Sequence, residues 1–256
     1  MVIRARCPIA KGDEVFIPYV NPTHGDRAGA LNKWLPDGCA CEMCGYDKLE
    51  GAARLLRRKQ ELMRLPDLLT LAENVRPGKH ADVARRIQDA VDSVQSTYNS
   101  SRPATRRPEL VQLLRLKASL AFYSNPLAPP LDQIVAADLA AMESVGALVV
   151  VTKVRTNKLN FKAKKKQPDA GPRATTSVSV AAAPFDCTNE SIVALASAAS
   201  TCHRLKKSSE ALVWLRAAIE MSTMVYGGGQ DAFVARFAGQ LKQLGTEGWE
   251  GIMSQL

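Results

Sequence analysis

Apolar residues recur three and four positions apart over most of the chain, the spacing of a helix with one face buried. Leu55, Leu56, Leu62 and Leu65 make such a stripe between Leu49 and Leu65, with Arg57, Arg58 and Lys59 outside it. Pro66 opens a short second helix that stops near Arg76-Pro77-Gly78. Val83, Ile87, Val91 and Val94 predict a third helix from Ala81 to Tyr98, and 100–107 reads as a connector. A helix starting at Pro108 carries Leu110, Leu113, Leu114 and Leu120 and is closed by Asn125-Pro126 and Pro129-Pro130. The next runs from about Leu131 to Val151. Further on, Asn189 caps a helix through His203, and Ser208 or Ser209 caps another through Tyr226. Gly227-Gly228-Gly229 then precedes a last helix, Asp231 to Leu244. The front breaks this periodicity. Residues 2–20 read as two short strands around a Lys11-Gly12-Asp13 turn, the second being Glu14-Val15-Phe16-Ile17-Pro18-Tyr19-Val20. Such a hairpin has no face to bury by itself and needs something packed on it.

Charge changes the picture in one place. Of the formal +9, the segment 152–184 supplies +7: Lys153, Arg155, Lys158, Lys162, Lys164, Lys165, Lys166 and Arg173 stand against Asp169 alone. Its composition reads as a flexible basic linker, with a nuclear-import or polyanion-binding patch as the functional alternative. Acidic partners suit it, whereas the lack of interleaved aromatics argues against sequence-specific nucleic-acid readout. No run of about 18 apolar residues is present, so no membrane partner is expected. The opening Met1-Val2-Ile3-Arg4-Ala5-Arg6 lacks the apolar core of a secretory signal, and six cysteines without one fit a reducing, intracellular setting, nuclear or cytoplasmic.

Candidate chemistry concentrates in Cys39-Ala40-Cys41-Glu42-Met43-Cys44. Three thiols this close converge more readily on a tetrahedral zinc ion than on one another. A reduced, metal-free thiol loop is the alternative. Three thiolates make a closed structural site only with a fourth ligand, for which Cys7, His24, Cys187, Cys202 and His203 are candidates. Cys202 and His203 are helical neighbours whose side chains point about 100° apart, which suits a core-and-surface pair better than one ion. The chain holds no Walker-type glycine loop, Gly-x-Ser-x-Gly elbow or His-Glu-x-x-His pair.

The stretch Arg4-Ala5-Arg6-Cys7-Pro8-Ile9-Ala10-Lys11-Gly12-Asp13-Glu14-Val15-Phe16-Ile17-Pro18-Tyr19 resembles the closing hairpin of a SET domain, the protein lysine methyltransferase fold. Arg27 and Leu31 stand where SET proteins of the SET–MYND type carry an Arg-x-x-x-Leu helix, and Cys39-x-Cys41-x-x-Cys44 is similar to their post-SET zinc motif. In that group a helical, tetratricopeptide-like domain follows, and Ala211-Leu212-Val213-Trp214-Leu215-Arg216-Ala217-Ala218-Ile219-Glu220 with Val225-Tyr226-Gly227 resembles part of it. The specific likeness covers about residues 2–46.

The resemblance implies a mainly α fold: residues 1–47 the end of a SET domain with its post-SET cysteines, 48–151 helical, 152–186 a basic disordered linker, and 187–256 tetratricopeptide-like helices. It implies Tyr19 as the active-site tyrosine, zinc on Cys39, Cys41 and Cys44, and S-adenosylmethionine as methyl donor to a lysine of a protein substrate. The family's Gly-x-Gly and Asn-His-x-x-x-Pro-Asn donor-binding segments are absent and would lie upstream of Met1. Leu35 and Asp37 hold the places of its channel-lining Tyr-x-Phe pair, with Trp34 the nearest aromatic. The expected function is therefore a truncated SET-domain protein, inactive in methyl transfer by itself. The competing expectation is a non-catalytic helical module that binds peptides and keeps a zinc-stabilised cap.

Overall fold

The computed structural model describes residues 11, 27–32, 35, 37–76, 78–125, 129–155, 174–183 and 189–243. The proposed N-terminal hairpin with Tyr19 lies outside the described residues, as does most of the basic segment. The described fold is mainly α with one small antiparallel sheet. In order it comprises α1 (Arg27–Asn32), α2 (Glu42–Leu62), α3 (Leu65–Glu73), α4 (His80–Gln95), two 3-10 turns at Ala104–Arg106 and Pro108–Leu110, α5 (Val111–Ser124) and α6 (Leu131–Ser144). Strands β1 (Leu148–Arg155) and β2 (Ala174–Ala182) follow, then α7 (Glu190–Arg204), α8 (Ser208–Tyr226) and α9 (Gly229–Gln243).

The helical periodicity finds its partners. Val83, Ile87, Val91 and Val94 of α4 are buried against Leu68 of α3 and Leu113, Leu114 and Leu120 of α5 in a first core. A second core joins Ile192 and Leu195 of α7, Trp214, Leu215 and Met221 of α8, and Phe233 and Phe237 of α9. Ala194, Ala198, Ala211, Ala217 and Ala218, small enough for close helix crossings, lie inside this second core. Helix α6 and the turn after it serve both: Ala141 and Val145 belong to the first core, Met142 and Ala147 to the second.

Some expectations fail. The helix predicted to reach Val151 ends at Ser144, and part of the segment read as linker is strand, because β1 and β2 pair in register from Val149↔Val180 to Arg155↔Ala174. The physical reason is local. Val149-Val150-Val151-Thr152 is a β-branched run that resists helix, and Ser177-Val178-Ser179-Val180 alternates with the period of a half-buried strand. Val149, Val151, Val178 and Val180 pack on the second core while Val150 stays exposed.

A further failure concerns the helix after the cysteines. Arg58, read as lying outside the apolar stripe, is only 2% exposed, while Leu56 and Leu49 face solvent. Gly51 explains the change of face: its φ of +79° and ψ of 161° interrupt the helix, so the turns before and after it do not share one stripe. This backbone region is essentially restricted to glycine. A Cβ at Gly51 would meet no atom within 4 Å, so the backbone alone penalises a side chain there. Gly51→Ala is expected to lower unfolding free energy by about 1–3 kcal/mol in a urea titration.

Candidate metal centre

The cysteines sit on a turn that runs directly into a helix. Leu35 N–H donates to Leu31 C=O at 2.9 Å, continuing α1, and Gly38 N–H donates to Leu35 C=O at 2.9 Å. Gly38 closes that turn with φ +84°, a conformation L-residues rarely hold. Cys41 is extended (φ −65°, ψ 159°) and caps the N-terminus of α2, whose first turn contains Cys44. Reversal at Gly38 and entry into α2 at Cys41 together fold the three side chains onto one point. The ligating atoms of Cys39, Cys41 and Cys44 all lie within 4.8 Å of one another, close enough to bind one metal ion.

Their environments differ. Cys39 is half-buried, Cys41 exposed and Cys44 buried. The backbone N–H of Cys41 holds the Cys39 thiol below its ordinary pKa, aided by hydrogen bonds from Cys41 and Cys44 and by the charge of Lys48. Burial pushes the Cys44 thiol up to about 12, and its two sulfur neighbours push in the same direction. A helix N-terminus also favours negative charge nearby. Cys39 is thus the more acidic and Cys44 the less acidic of these two thiols.

A polar hub anchors this corner to the first core. Glu42 pairs with Arg106 at 2.9 Å, and Asp47 with Arg102 at 3.0 Å. Deeper in, Glu50 Oε2 receives Arg58 Nη2 at 2.6 Å and Arg102 Nη1 at 2.9 Å. Glu109 lies 3.5 Å from Arg58 and accepts a hydrogen bond from the Tyr98 hydroxyl at 2.9 Å. Arg58 Nε donates to Thr97 Oγ1 at 2.9 Å, and the Asn99 N–H donates to Glu50. The Tyr98 ring lies under the guanidinium carbons of Arg58, Arg102 and Arg107, at 3.9, 4.9 and 5.3 Å from its centre. Burial first, then the charge of Glu109, holds the Tyr98 phenol well above its usual range, so it stays a hydrogen-bond donor. Sequence reasoning missed this hub. The one available cue was the presence of Arg102, Arg106 and Arg107 in the connector 100–107, with Glu109 just after it.

Of the residues singled out from sequence, the structure gathers Cys39, Cys41 and Cys44. Tyr19, Trp34, Cys7, His24 and Cys187 lie outside the described residues. Cys202 and His203 are not part of the gathered group: Cys202 is buried in the second core and His203 sits next to it on α7. Leu35 is half-buried and Asp37 exposed, beside the cysteine turn. No helix among the described residues is long and apolar enough to cross a membrane. Comparison with protein-family models, with curated proteins and with solved structures gives no match.

Proposed function

We propose that the chain is a helical interaction scaffold of SET–MYND ancestry whose front corner is held by a structural zinc ion on Cys39, Cys41, Cys44 and a fourth ligand. The observation that carries this reading is the meeting of three sulfurs within 4.8 Å at a helix start. Tetrahedral zinc with bonds of about 2.3 Å places its sulfurs about 3.8 Å apart, inside the 4.8 Å within which the trio lies. Donor chemistry agrees, since thiolates select zinc over the hard cations, and a cytoplasmic or nuclear setting keeps them reduced. Zinc here would supply cross-linking of the turn to α2 and no chemistry of its own.

Methyl transfer belongs to this reading through ancestry only. In a complete fold of that kind Tyr19 would help position a lysine amine before S-adenosylmethionine. The work of this part of the protein is assigned to the helical surface and to the basic segment, which suits acidic partners.

Two measurements test the assignment. Elemental analysis of the purified chain is expected to give about one zinc per chain, and a value near zero would retire the metal. Calorimetric titration with S-adenosylmethionine is expected to show no saturation at high micromolar concentration. Clear saturation would restore an enzymatic role.

A further inference from the structure

Two of the three cysteines stand one helical turn apart. Gly45 N–H donates to Cys41 C=O at 2.9 Å, so α2 begins on Cys41, with Cys44 in its first turn. Side chains three residues apart are neighbours on a helix surface. Both are free thiols whose sulfurs lie within 4.8 Å of each other. A disulfide bond is about 2.05 Å long, so bridging them takes an approach of at most about 2.8 Å. The turn that carries them is fixed from outside. Glu42 pairs with Arg106 at 2.9 Å and accepts the Tyr46 hydroxyl at 3.3 Å, while Asp47 pairs with Arg102 at 3.0 Å. These bonds hold the spacing of Cys41 and Cys44 without calling on a metal.

Exposure sets the two thiols apart. Cys41 faces solvent, whereas Cys44 is 8% exposed. Exchange with a disulfide from solution needs one sulfur that the incoming molecule can reach. It then needs a second sulfur beside the first to displace the adduct, and that one can be sheltered. Cys41 and Cys44 fill these two places. Cys39 fits neither as well. It is half-buried and precedes the helix, and a bridge from it to Cys41 would span the single residue Ala40, where disulfide geometry is strained.

We propose that Cys41 and Cys44 form a dithiol site that exchanges with low-molecular-weight disulfides of the glutathione type, and that the bridge so formed displaces the metal. The Cys41 thiolate attacks one sulfur of glutathione disulfide, whose S–S bond breaks, and the departing glutathione thiolate takes a proton from water. Cys44 passes its proton to water and attacks the Cys41 sulfur, expelling the second glutathione. Two protein thiols are thereby oxidised to one disulfide, and one glutathione disulfide is reduced to two thiols. Cys39 is then the one thiolate of the trio left for zinc, too few for a structural site, so the ion returns to solution. The displacement rests on the zinc reading, and the exchange does not. A chain that purifies without metal would refute the zinc and leave the exchange to be read from its thiols. A chain that keeps zinc and forms no bridge would refute the exchange and leave the metal in place.

The test treats the full chain, as purified, with glutathione disulfide in the absence of air. A chromophoric chelator reads released zinc, and peptide mass spectrometry after alkylation of the remaining thiols reads the pairing. A Cys41–Cys44 bridge is expected, with Cys39 alkylated and the bound zinc lost in step with bridging; dithiothreitol with added zinc should reverse both. Cys44→Ser is expected to stop at the mixed disulfide, with a mass gain of one glutathionyl group on Cys41. Cys41→Ser, at an exposed position, is expected to leave Cys39 and Cys44 as unmodified thiols. A bridge through Cys39, a wild-type chain that accumulates the mixed disulfide, thiols that stay free at millimolar glutathione disulfide, or a bridged chain that still holds its zinc would each overturn the proposal.

Discussion

Arg102→Ala is expected to destabilise the protein by about 3–5 kcal/mol, the penalty typical of removing one partner from a buried ion pair. The side chain is 0% exposed and faces Asp47 at 3.0 Å, Glu50 at 2.9 Å and Glu109 at 3.8 Å. Without it those three carboxylates share Arg58 alone at the centre of the hub. Arg102 Nε also donates to Arg106 C=O at 2.5 Å, and Arg106 holds Glu42. The loss should therefore reach the cysteine corner as well as the first core. Equilibrium unfolding in urea measures the first effect, and the rate of zinc release to a chelator measures the second. A change below about 1 kcal/mol would mean that the hub is solvated in solution. Arg64→Ala, at an exposed i,i+3 pair with Glu61, serves as the control and should cost less than about 1 kcal/mol.

Zinc affinity is expected to rise steeply with pH, and Cys44 sets the slope. Its thiol holds its proton to about 12, so coordination anywhere near neutrality must displace that proton. This residue alone contributes about tenfold in affinity per pH unit. Competition with a chromophoric chelator between pH 6 and 8 measures the slope, and a flat profile would exclude Cys44 as a ligand. Cys44→Ser should remove high-affinity binding altogether. The metal-free chain shows the linked effect in stability. Burial raises the folded-state pKa of Cys44 above its ordinary value near 9, so its contribution is complete below that pH. It is then lost as pH climbs from about 9 towards 12, where the unfolded thiol ionises and the folded one does not.

What could be read from the residues alone divides by range of interaction. Three cysteines spaced at 39, 41 and 44 are a local signal, and local backbone geometry is enough to bring them together. The stripe on α4 is equally local, and its four residues are buried as the periodicity requires. Arg58 was misplaced because a guanidinium on a helix is ordinarily solvated. Its burial depends on Thr97 and Glu109, thirty-nine and fifty-one residues away, which no pattern within α2 announces. The strands at 148–155 and 174–182 were legible in principle, in Val149-Val150-Val151 and in the Ser-Val alternation, but the density of lysines between them masked that cue. Asn189 does precede a helix as its residue type suggests, yet its side chain accepts a hydrogen bond from the Tyr226 hydroxyl in place of capping α7. The α7 start is thus tied to the end of α8 by a contact that sequence spacing does not encode.

Helix α6 separates the two hydrophobic cores and lends side chains to each. Neither core can melt and leave the other its full complement of neighbours, so heat or denaturant should take the described helices apart in one transition. Backbone amides of α6 should exchange with deuterium only as fast as the whole molecule opens.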